Sequence, residues 1–144
     1  MFISGITDRG AVPGLVATLA YTQACHKVIA ENVANWQNPD YQAKRLDPRV
    51  FQRDLARAFE QRGGDVNQPF ALPATEQFHL DRRGSLRVTP IDRPTENVLF
   101  HDGTNMSIER QMSDLAENAM THEMDTQLLK ERYDGLRKAI RGRL

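Results

Sequence analysis

Apolar positions in the last third of the chain recur at alternating steps of three and four. They run Ile108, Met112, Leu115, Ala119, His122, Thr126, Leu129, Tyr133, Leu136 and Ile140, with only His122 and Thr126 polar. A period of 3.5 residues held this long predicts one helix with a narrow apolar seam, the pattern of a coiled-coil strand. No proline interrupts residues 105–143, and Gly135 weakens the helix only locally. At about 1.5 Å per residue such a helix would be roughly 50 Å long. So thin a stripe makes no core with itself, so the helix needs a partner.

A second seam lies in residues 11–37: Leu15, Leu19, Thr22, His26, Ile29, Val33 and Trp36. Off that seam stand Val12, Val16, Ala20, Ala24 and Val28, at steps of four. Apolar groups on more than one face imply burial on more than one side. The expectation is that the C-terminal helix covers one side and a neighbouring subunit the other. The alternative is a small bundle in which the middle region folds back over the second face. Residues 1–14, with three glycines and Pro13, read as loose or only partly helical. Pro39 pushes Asn38 out of the helical region and ends the first helix.

The middle, residues 38–104, is less regular. Asp47-Pro48 reads as an N-cap with proline at the first helical position. Phe51, Leu55, Ala58 and Phe59 make a short apolar stripe, and Gly63-Gly64 supplies the stop. Phe78 and Leu80, then Leu86 and Val88, alternate across Asp81–Ser85 and predict a β-hairpin. Asp102–Asn105 reads as a turn into the last helix, with Ser107 as N-cap and Glu109 in the first turn. The fold class is mainly α, in a single domain, 1–144. Long N- and C-terminal helices pack as an antiparallel coiled-coil-like hairpin around a short irregular middle with one short helix and the β-hairpin.

Composition favours assembly over a self-sufficient core. Leu, Ile, Val and Phe make up 33 of the 144 residues, little above the level at which disorder sets in. Ordering each residue costs roughly 1–2 kcal/mol, so a thin seam returns little and the termini are expected to order on docking. Nineteen bases balance nineteen acids, so bulk charge draws the chain to neither nucleic acid nor membrane. The balance is uneven along the last helix. Glu109 to Asp125 holds five acids and one base, and Lys130 to Arg143 six bases and two acids. This suits the helix macrodipole, and it also lets staggered neighbours in an array pair acidic with basic halves. The uncharged stretch Gly10–His26 is shorter than a bilayer span and carries Pro13, Thr18, Thr22 and Gln23. With no basic leading region, it reads as neither a membrane span nor a cleavable signal.

The residues also carry a resemblance. Ala30-Glu31-Asn32-Val33-Ala34-Asn35, followed by Asn38-Pro39-Asp40-Tyr41-Gln42-Ala43, resembles the N-terminal signature of bacterial flagellar rod and hook proteins. The usual form there is A-x-N-[IV]-A-N-x-x-T-P-G-Y-x-A. Asn38 replaces the usual threonine and Asp40 the usual glycine, while Asn32, Asn35, Pro39 and Tyr41 are in place. Thr75 with His79-Leu80 is similar to a T-x-P-x-H-L element of a proximal-rod member, with Gln77 where proline is usual. The run Asp102–Met112 and the tail Gly135–Gly142 resemble the same member. Two thirds of the chain is touched in this way.

The resemblance implies an α-helical structural subunit of the proximal rod that polymerises helically through its ends. Implied partners are copies of itself, FlgC-like and FliE-like rod subunits, the MS-ring protein and the flagellar type III export apparatus, with no cleaved signal, no nucleic acid and no direct membrane span. Assembly would rest on Leu15, Leu19, Ile29, Asn32, Val33, Asn35, Pro39 and Tyr41 at one end, and on Ile108, Met112, Leu115, Leu129, Tyr133, Leu136 and Ile140 at the other. A rival reading is a cytosolic helical adaptor or chaperone-like module.

No catalytic pattern emerges, and no cofactor is expected. Histidines 26, 79, 101 and 122 lack metal-ligand spacing, and His122-Glu123 lacks the second histidine of a zincin. Cys25 is the only cysteine, so it forms no internal disulfide. His26 and His122, both on seams, read as partly satisfied core histidines.

Overall fold

The structure is a computed structural model. It describes residues 10–38, 41–63, 65, 68–82, 84–91 and 107–142. Three helices and a two-stranded sheet follow in chain order: α1 (Val12–Ala34), α2 (Pro48–Gln61), β1 (Phe78–Leu80), β2 (Leu86–Val88) and α3 (Ile108–Ile140). α1 starts one residue and ends three residues inside the expected 11–37, and α3 is three residues shorter at each end than the expected 105–143; α1 begins within the stretch read as loose. Pro13 sits in the first turn of α1, where its missing N–H costs nothing. The turns at Pro39-Asp40 and Asp102–Asn105 fall outside the described residues.

Local chemistry explains the element ends. Asp47 caps α2, its Oδ1 accepting from Arg49 N at 2.9 Å, with Pro48 next. Gly63, at φ 59°, turns the chain out of α2 through a left-handed conformation. Ser107 caps α3, with Arg110 N donating to its Oγ at 3.4 Å. The Ser107 hydroxyl donates to Glu109 Oε2 at 2.7 Å and holds that carboxyl below its usual range. The hairpin pairs Phe78 with Val88, His79 with Arg87 and Leu80 with Leu86, antiparallel.

α1 lies at the centre. α3 packs along one side of it, antiparallel, since Asn32 meets Gln111 while Thr22 meets His122. The other side is covered by the chain's own middle region, not left for a neighbouring subunit. Ala17, Tyr21 and Val28 of α1 join Leu46, Phe51, Ala58, Leu72 and Phe78 in one buried cluster. At its heart Tyr21 stacks on Phe51, centroids 4.1 Å apart, and Phe78 stands edge-on to both at 6.5 and 5.4 Å. The physical reason is economy of apolar area. Three large aromatic rings meet there, so the helical pair acquires the core that its thin stripe lacks. Gly14 allows the ring of Phe59 to come close, because a Cβ there would lie 2.4 Å from Phe59 Cζ. Arg62 then ties the end of α2 to the start of α1, donating from Nη1 to Gly10 O at 2.9 Å.

Candidate assembly surface

The α1–α3 contact is built around Asn32, which is 1% exposed. Its Oδ1 accepts from Tyr41 Oη at 3.0 Å and from Lys44 N at 3.0 Å. Its Nδ2 donates to Lys44 O at 2.8 Å and to Gln111 Oε1 at 3.2 Å. All four hydrogen-bonding positions of the amide are therefore used. One side chain joins α1, the strand-like segment after it, and α3. Asn35 closes the helix end, donating from Nδ2 to Glu31 O at 2.8 Å. The signature asparagines and Tyr41 thus have an intrachain role that can be read atom by atom.

Nearly three turns earlier in α1, Thr22 is the second anchor. Asn118 Nδ2 donates to Thr22 O at 3.0 Å, and Thr22 Oγ1 lies 2.8 Å from His122 Nδ1. The same hydroxyl donates to Leu19 O at 3.1 Å. A hydroxyl has one proton, so His122 donates from Nδ1 in this arrangement. His122 is otherwise exposed, and so is His26; neither is a core histidine. Asp125 is the only buried residue of α3, and its Oδ2 has no hydrogen-bond partner among the described residues. Burial pushes its carboxyl up, and His122 pulls it partly back.

These contacts move the seam of α3 by one position. Ile108, Leu115, Leu129 and Leu136 are half-buried as the heptad requires. The alternate positions that turn inward are Gln111, Asn118 and Asp125, while Met112, Ala119 and Thr126 are exposed. Tyr133 and Ile140 are exposed as well. On α1, Ile29 and Asn32 are buried and Leu15, Leu19, Val33 and Asn35 half-buried; Pro39 lies outside the described residues. Apolar periodicity could not find Gln111, Asn118 and Asp125, because polar residues carry no weight in it. Nor did it single out Met120 and Met124, which are 72% and 64% exposed. With Met112, Ala116 and Leu128 they form a row at steps of four, winding away from α1.

Between α3 and the α2 side, a cleft of about 320 Å³ opens onto α1. Its floor includes Tyr21 and Cys25, whose thiol burial pushes up to about 11, so this thiol is a poor nucleophile at neutral pH. Among the described residues, no group of three or more His, Cys, Asp or Glu is arranged to hold a metal ion. No helix among them is long and apolar enough to cross a membrane.

No family model matches the chain. Curated proteins do, across most of its length. The chain is similar to the flagellar basal body rod protein FlgB. FlgB of Escherichia coli (strain K12) is 26% identical over 121 residues, which is 79% of this chain and 80% of that one. FlgB of Salmonella typhimurium is 23% identical over 124 residues, 81% and 82% of the two chains. FlgB of Bacillus subtilis (strain 168) is 21% identical over 133 residues, 92% and 95%. A match covering 79% or more of this chain extends beyond the signature at the end of α1.

Proposed function

We propose that this chain is a structural subunit of the proximal rod of the bacterial flagellar basal body. In this reading it polymerises through its terminal helices, helps connect the membrane ring to the distal rod and transmits torque. It acts without catalysis or cofactor. Its partners are copies of itself, FlgC-like and FliE-like rod subunits and the MS-ring protein. It reaches them through the type III export apparatus without cleavage of a signal.

The extent of the similarity to FlgB carries this reading, since it spans about four fifths of the chain in the Escherichia coli relative and nine tenths in that of Bacillus subtilis. The exposure of α3 supports it. Met112, Met120, Met124, Leu128 and Ile140 are all exposed on one helix, a concentration of apolar side chains that suits a contact surface. The adaptor reading draws on the aromatic centre, which gives the single chain a core of its own. The two readings part at assembly, because an adaptor stops at a monomer or simple dimer.

The test is motility of a strain carrying altered chain. Leu115→Asp with Leu129→Asp is expected to abolish rod assembly, but it also strikes the half-buried side of α3 facing α1. Met120→Asp with Met124→Asp touches only exposed positions. It is expected to leave the fold intact and the cells non-motile. A strain with this second pair that swims normally would overturn the reading.

A further inference from the structure

The outward side of α3 is acidic in its first half and basic on balance in its second. At 3.6 residues per turn, Glu109, Glu117 and Glu123 share with Met112, Met120 and Met124 the half of the helix turned away from Gln111, Asn118 and Asp125. All six are exposed. Further along the helix, Lys130, Lys138 and Arg141 continue that side, with Arg137 bordering it, and these are exposed too. Glu131 and Asp134 share the side, with Asp134 Oδ1 3.9 Å from Arg137 Nη1, so this block is basic on balance. The basic block also has a distinct place in the fold. The pairs Asn32–Gln111 and Thr22–His122 fix the antiparallel register. Continued at equal rise, the start of α1 falls level with about residue 131 of α3. The last turns of α3 therefore run on past α1.

We propose that the basic end of α3 in one copy docks along the acid-rimmed methionine row of α3 in a second copy, parallel and displaced by roughly 20 residues, or about 30 Å. The occupant is a second copy because one helix carries both complementary patches. Opposite charges set register and partner choice more than affinity. The methionine row supplies the apolar area, and its unbranched side chains adapt to the surface laid on them. Parallel displacement leaves one unused patch at each end of the assembly, so it grows without closing. Antiparallel pairing of the same patches would close at two copies. The choice of the parallel form rests on the rod reading.

Sedimentation velocity of the full chain tests the contact. The unaltered chain is expected to form a concentration-dependent ladder beyond the dimer at low salt, shrinking as salt screens the charges. Arg137→Glu, Lys138→Glu and Arg141→Glu together should weaken association at least tenfold. Glu117→Lys with Glu123→Lys should do the same. One chain carrying both sets has its charges exchanged but still complementary, and it should recover the ladder, which also controls for folding. A ladder unchanged by either set, no recovery in the combined chain, no association of the unaltered chain, or a stop at two copies would each overturn the proposal. Gene deletion separates the two ideas. A deletion strain lacking the rod while the combined chain fails to recover leaves the rod reading standing and this contact wrong; a deletion strain that swims removes the rod reading itself.

Discussion

Asn32 shows how much one buried amide can hold. Its four hydrogen bonds satisfy Lys44 N and O and engage Tyr41 Oη and Gln111 Oε1. Asn32→Ala removes all four and leaves buried polar groups unpaired. It should lower unfolding free energy by about 2–4 kcal/mol, read from the urea midpoint. Asp125 is the opposite case, a buried carboxyl with an unpartnered oxygen. Its folded-state pKa is raised, chiefly by burial. The folded form therefore favours the protonated group, and the penalty for ionising it grows as pH rises from the unfolded value through the folded one. Asp125→Asn should raise the thermal midpoint at neutral pH, and the gain should fade as pH drops through the carboxylate range. A gain that persisted undiminished in acid would count against this account.

At the scale of elements, the two helices differ in what holds them. α1 is fastened on two sides, by α3 and by the aromatic cluster of the middle. Phe78 is fully buried in that cluster, so Phe78→Ala should cost about 3–5 kcal/mol and loosen β1 and α2 from α1 together. Gly14→Ala should also destabilise, by about 1–3 kcal/mol, because the added methyl displaces Phe59 from its place between α1 and Phe70. α3 has one buried residue and a contact with α1 anchored by polar groups. The 3.5-residue period located this helix but placed half of its inward row one residue away. Polar residues decided that rotation. Gln111 and Asn118 find specific partners on α1, whereas Met112 and Ala119 can only be covered. Gln77, unusual beside the rod-protein pattern, likewise has a use that shows only in the fold, where its Oε1 accepts from Asp47 N at 2.9 Å.

For the whole molecule the consequence is a graded stability. The cluster around Tyr21, Phe51 and Phe78 binds α1 and the middle into one unit, while the far end of α3 runs beyond it. Few buried contacts mean low local opening energies. Native-state hydrogen exchange should therefore show amides of residues 130–140 exchanging well before those of residues 17–29. Equal protection of the two segments in the isolated chain would contradict this. Docking of a second copy along α3 should then slow the early set selectively.

The sequence by itself determined both long helices, the short one with its Asp47-Pro48 start, and the hairpin. Each rests on local signals, such as caps, period and turn residues, that act within a few positions of the chain. Only the tertiary structure decided what covers the second face of α1 and which side of α3 turns inward. Those outcomes depend on rings and amides far apart in sequence meeting at a few ångströms. An apolar period says that a face must be covered, but not by what.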